Sequence, residues 1–197
     1  VLGNRDAMGF ILGYAGHNWE LFAFRSWAVA FLVFAEGYDP GGGFGVSATT
    51  IAAAATLLGV PSSIFGNELA VRFGRLRIIV IITILSIALS MVLGFATAVS
   101  YWLVVALCLV YGLLLTGDSA ALTAGTVNAA RPGQRGATLA MHAFIGFMGG
   151  VFGPLAIGMV LDLAGGGTVL GWGLAMMVMG AGSLMALISV LALGRRR

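Results

Sequence analysis

The sequence predicts an all-α polytopic membrane protein, a single domain in which six transmembrane helices form one bundle. Three observations carry that expectation. The 197 residues are 60% hydrophobic and only 9% charged, whereas a soluble domain carries roughly 25% charged residues. Mean hydropathy is +1.05. Six apolar stretches, each long enough for the ~20 residues a spanning helix needs, are separated by short connections bearing Gly, Pro or Arg. The 31 glycines fit the same picture, because small residues let membrane helices approach closely.

The first span, 8–36, is the one the chain is organised around. Its middle holds His17, Glu20 and Arg25, and a charged side chain at bilayer depth costs about 2.5–3.5 kcal/mol on insertion scales. At 100° per residue, Glu20 lies about 60° to one side of His17 and Arg25 about 80° to the other. The three therefore share one side of the helix, facing protein or a cavity, opposite a broad apolar side. A Gly-rich connector over 38–45 cannot continue a helix. The second span, 46–67, carries Pro61 as a kink. The third covers 77–98, and a short turn around Ser100 leads to the fourth, 102–128. The connector ARPGQRG precedes the fifth span, 138–162, and AGGG precedes the sixth, 169–193.

Arginine placement sets the expected orientation. The chain has no lysine. Arg5, then Arg72, Arg75 and Arg77, then Arg131 and Arg135, then Arg195, Arg196 and Arg197 occupy alternate connections. The remaining connections hold or adjoin Glu36, Asp39 and Asp162. By the positive-inside rule the arginine side, with both termini, is cytoplasmic. Topology thus accounts for the basic pI near 9.6, and nucleic acid is not expected as a partner. Arg25 alone is left inside the membrane. The chain opens at Val1 without an initiator Met or a signal-peptide pattern, which points to a fragment or a processed start.

Two further features bound the chemistry. Cys108, the single cysteine, lies in an apolar run and is expected as a small buried hydrophobe. No metal-ligand cluster, phosphate loop or nucleophile–base pair is present in the sequence. No enzyme activity and no cofactor are expected, and any transport would run on an ion gradient or on the solute's own gradient.

The segment 66–77, GNELAVRFGRLR, resembles the cytoplasmic loop signature of the major facilitator superfamily, approximately G-x-L-A-D-R-x-G-R-R. Leu69, Ala70, Arg72, Gly74 and Arg75 match in register; Val71 stands at the acidic position and Asn67 at the opening glycine, with Glu68 nearby. RGATLAMHAFIGFMGGVFGPLAIGMVLD, 135–162, looks like the eleventh helix of bacterial facilitators. Its core GVFGPLAIG resembles the Gly/Pro packing motif of drug antiporters. GYAGHNWELFAFRSW, 13–27, looks like their seventh helix. In order and spacing the whole chain resembles the C-terminal half of a twelve-helix facilitator in a bacterial inner membrane. Such transporters hold substrate between two six-helix halves near mid-membrane. The resemblance implies a partner half, a small-molecule substrate and alternating access with proton coupling.

Each candidate residue has two readings at this point. His17, Glu20 and Arg25 either handle substrate and protons, with Arg25 attracting an anion, or form an internal network that holds helices together. Asp118, among the small and hydroxylated residues TGDSAALTAG, could pair with Arg25. His142 shares a helix face with Gly146, Gly149 and Gly153, and it either carries protons or is structural. Glu68, Arg72, Gly74, Arg75 and Arg77 form the gating loop by resemblance, and the arginines also attract anionic lipid. Gly149, Gly150, Gly153, Pro154 and Gly158 read as a packing and bending seam. Trp19, Trp27, Trp102 and Trp172 read as interface anchors or lipid-facing bulk. The rival function is that of a six-helix structural subunit that docks other membrane proteins or pigments.

Overall fold

A computed structural model describes residues 1–39 and 45–194. Part of the Gly-rich connector and the three terminal arginines lie outside the described residues. The chain folds as α1 (Arg5–Tyr38), α2 (Ala48–Phe73), α3 (Arg75–Leu93), a 3-10 turn (Phe95–Ala98), α4 (Tyr101–Gly117), α5 (Ser119–Ala129), α6 (Arg135–Ala164) and α7 (Val169–Leu193). No strand occurs among the described residues. With α4 and α5 counted as one span, six helices are long and apolar enough to cross a membrane.

Local sequence explains most boundaries. Asn4, Ser47, Ser100 and Thr168 each cap the helix that follows by accepting a backbone N–H with the side chain, which satisfies a donor that would otherwise be orphaned. The Asn4 cap starts α1 at Arg5, three residues before the expected 8. α6 closes on Gly165 at φ 77°, a left-handed position that glycine adopts without strain.

Three expectations require correction. The segment 66–77, read as a loop, is helix on both sides of a single break. Glu68 and Arg72, four residues apart, pair at 2.7 Å on the surface of α2, which carries that helix on to Phe73. Gly74 at φ 97° then makes the whole connection. The third helix ends at Leu93 rather than 98. A side chain at Gly94 would run into the Trp172 and Gly173 backbone of α7, so the chain tightens there into the 3-10 turn. The fourth span is not continuous, since Asp118 (φ −94°, ψ −12°) separates α4 from α5. Pro61 lies inside α2 without ending it.

α1 is the central helix. It packs against α2, α4, α5, α6 and α7. Lipid is as apolar as leucine, so close fit rather than hydrophobicity drives this association. The α1–α6 contact is the clearest case. A Cβ at Gly149 would collide with the Ala15 carbonyl, and one at Gly153 with the Trp19 carbonyl. Gly150 faces Phe22 and Gly158 faces Trp27, while Trp27 Nε1 donates to Pro154 O at 2.9 Å. The expected seam is a packing seam, and α1 is what it packs on.

Arg5 and Arg131 line one cavity with Gly194, and Arg75 lines another with Asp6 and Asn128. The helix ends that carry the arginines are therefore neighbours in space. At the opposite end Tyr101 N–H donates to Asp39 Oδ2 at 3.1 Å, joining the end of α1 to the start of α4.

Candidate functional site

Four of the five candidate pathway residues meet inside the bundle. His17, Glu20, Asp118 and His142 are between 2% and 5% exposed. His17 and Glu20, three residues apart on α1, project from one side of that helix. The break between α4 and α5 brings Asp118 to them. His17 Nδ1 stands 2.9 Å from Asp118 Oδ1, linking two buried groups that would each be costly alone.

Glu20 is held by two hydroxyls. Tyr111 OH of α4 donates to Oε1, and Ser183 Oγ of α7 donates to Oε2. One carboxyl thereby ties three helices. On the α6 side, His142 Nδ1 lies 3.1 Å from Thr126 Oγ1 and Nε2 lies 3.3 Å from Thr123 Oγ1. Tyr14 stacks on His142 with ring centroids 3.9 Å apart and on His17 at 5.6 Å. The polar groups thus form a band, from His142 through Tyr14 and His17 to Asp118, with the Glu20 cluster one turn along α1.

The band carries two buried polar atoms without a hydrogen-bond partner among the described residues, His17 Nε2 and Asn18 Nδ2. An unsatisfied buried donor or acceptor costs about 1–3 kcal/mol, so these two atoms carry the unmet hydrogen-bonding capacity of the network. Chemically the band can exchange a proton between an imidazole and a carboxylate at the His17–Asp118 contact.

Arg25 is placed differently. It is exposed and lines a shallow groove with Leu21, Phe24, Ala55, Thr56, Gly112, Leu115 and Thr116, between α1, α2 and α4. It makes no ion pair among the described residues. Asp118, which could have paired with Arg25, is instead taken by His17, eight residues and about 12 Å along the helix axis from Arg25. Along the exposed stripe of α1 Arg25 is followed by Ser26, Val29, Ala30 and Val33. It is the sole charge on that stripe.

The tryptophans also differ from expectation. Trp102 is exposed, but Trp172 is buried and Trp19 and Trp27 are partly buried. Trp19 Nε1 donates to Val178 O at 3.1 Å. Three of the four are therefore helix-to-helix contacts, because the small residues of α6 and α7 leave room for indoles between the helices. Cys108 is a fully buried free thiol, as expected.

Sequence reasoning missed Tyr14, Tyr111, Thr123, Thr126 and Ser183. Lone hydroxyls in apolar spans carry no local signal. The spacing of Tyr14 with His17 and of Thr123 with Thr126, three residues each, was the trace available. No family model matches the chain, no curated protein matches it, and no solved structure matches its fold.

Proposed function

We propose that the chain is the C-terminal six-helix half of a secondary transporter of the major facilitator type, moving a small solute by alternating access against a second six-helix half. The observation that carries this reading is Arg25, a mid-span charge left exposed on an apolar face while the other mid-span ionisable groups of α1, His17 and Glu20, are paired inside. Such a charge is stable in a bilayer only opposite a partner or a wet cavity, and a facing half supplies both. Arg25 then attracts an anionic group of the solute. His17, Asp118 and Glu20 form the proton-handling network behind it, with His142 adjoining. The clustering of Arg5, Arg75 and Arg131 at one end supports an orientation with that end and both termini in the cytoplasm of a bacterial cell. In this reading the α2–α3 corner that carries Glu68, Arg72, Gly74, Arg75 and Arg77 gates that side.

A second reading is favoured by a different observation. The polar band is filled by the chain's own Tyr111, Ser183, Thr123 and Thr126, as in a structural subunit whose transport path has closed. Gentle isolation from the native membrane separates the two. A tightly bound second six-helix body, or a polypeptide of about twice 20.2 kDa, supports the transporter. Chains of 20.2 kDa embedded among unrelated helices support the subunit and overturn the first reading.

A further inference from the structure

The transport reading uses the charges at the arginine end of α3 but not the apolar groove beside them. That groove is an open cavity of about 590 Å³ lined by Phe73, Gly74, Arg75, Leu76, Arg77, Val80, Ile81 and Leu191. Its lining is divided by chemistry. Arg75 and Arg77 lie in the first turn of α3, and no carboxylate is among the lining residues. Val80, Ile81 and Leu191 form the rest of the wall, and Phe73, Ile81 and Leu191 are each at least 45% exposed. The step from either arginine to Ile81 is about 6–9 Å along the helix axis at 1.5 Å per residue. That is a charged rim beside an apolar trough.

Neither arginine makes an ion pair among the described residues, whereas Arg72 on the neighbouring turn is taken by Glu68. Arg75 Nε is moreover buried without a hydrogen-bond partner among the described residues. α3 also begins without a side-chain cap at Gly74, so its first N–H groups add positive character to the rim. Two guanidiniums without a close ion pair among the described residues, beside an exposed apolar wall, match an amphiphile with one negative headgroup. We propose that this groove binds one anionic phospholipid, with its phosphodiester on Arg75 and Arg77 and an acyl chain along Val80, Ile81 and Leu191. The site fixes the α2–α3 joint to the membrane surface and stands under either functional reading, because it needs only that the bundle sit in a bilayer.

The test counts lipids on the full chain by native mass spectrometry while dioleoyl phosphatidylglycerol or dioleoyl phosphatidylcholine is titrated in. The expected result is one phosphatidylglycerol held more tightly than phosphatidylcholine. That preference should weaken roughly 30-fold in the R75Q/R77Q double variant, taking the usual contribution of a basic side chain beside an anionic headgroup. R72Q, which removes a charge from the last turn of α2 outside the groove, should stay within about twofold. I81W keeps both charges and fills the trough, so it should lose the dioleoyl lipid while inorganic phosphate at equal concentration fails to displace it from the parent chain. Equal binding of the two lipids, or an R72Q loss as large as that of the double variant, overturns a discrete site in favour of diffuse surface charge. Displacement by inorganic phosphate overturns the acyl contribution and with it the phospholipid.

Discussion

His17 Nδ1 and Asp118 Oδ1 stand 2.9 Å apart in the middle of the bundle, and the contact ties the central helix to the joint between α4 and α5. Asp118 is the one residue of that span outside regular helix, so the break and the pair belong together. Removing one partner leaves the other buried and unpaired. Asp118→Asn and His17→Gln are each expected to destabilise the fold by about 1–3 kcal/mol. The double variant should lose less than the sum, with a coupling of at least about 0.5 kcal/mol. Reversible unfolding in mixed micelles reads all three, and additive losses would mean that the two groups do not interact.

Glu20 offers a sharper distinction between function and support. Its oxygens accept from Tyr111 and Ser183, so Tyr111→Phe removes one donor and keeps the ring contact with Phe24, 5.2 Å between centroids. Membrane hydrogen bonds average about 0.6 kcal/mol in double-mutant cycles, and a loss of that order is expected by the same unfolding assay. Glu20→Gln keeps one acceptor, replaces the other with an amide N–H that can donate to the hydroxyl facing it, and removes the ability to exchange a proton. Gradient-driven uptake by the complete transporter should disappear while unfolding changes little. Retained uptake would remove Glu20 from the proton pathway.

The α1–α6 seam predicts position-specific intolerance. A methyl group at Gly149 has no room beside the Ala15 carbonyl, whereas Gly136 near the start of the same helix has nothing within 4 Å of its Cβ position. Gly149→Ala should cost about 1–3 kcal/mol through overpacking. Gly136→Ala should be neutral or stabilising by up to about 1 kcal/mol, the helix-propensity difference. Equal effects at the two positions would show that the helices do not approach here.

Gly74 carries a different constraint. Its Cβ position is open but its φ is 97°, so Gly74→Ala meets strain rather than collision, about 1–2 kcal/mol. Limited proteolysis should detect a loosened joint between Phe73 and Arg75. Unchanged protection would mean that the turn re-forms with ordinary dihedrals.

How much of this was legible beforehand follows from what each signal depends on. Span number and order come from hydropathy, which neighbouring helices cannot alter, and they hold within a few residues. The glycines that face α1 were legible because His142, Gly146, Gly149 and Gly153 keep helical spacing. The grouping of His17 with Arg25 was not reliable, since a helical wheel assigns both to one broad side and cannot say which flank meets α2 and which meets α5. Three-dimensional packing splits that side, sending His17 and Glu20 inward and Arg25 out. The helical character of 66–77 was hidden by its polar residues, which form an i,i+4 pair on a helix surface as readily as a loop. The hydroxyls around Glu20 and His142 were invisible because partners from four helices become neighbours only after folding.

Arg25 separates the two functional readings most directly. In the isolated chain it contributes no ion pair among the described residues, and a mid-span arginine costs about 2.5–3.5 kcal/mol to insert. Arg25→Leu should therefore leave the stability of the six-helix bundle unchanged or raise it. If the groove between α1, α2 and α4 faces a second half across a solute path, the same change should abolish uptake of an anionic solute while the two halves still assemble, and Arg25→Lys should restore part of it. If the groove instead docks a structural neighbour through a carboxylate, Arg25→Leu should release that neighbour during isolation. A charge so exposed and unpaired has to be answered by something outside this chain, and co-isolation of the Leu variant with and without its companions identifies what answers it.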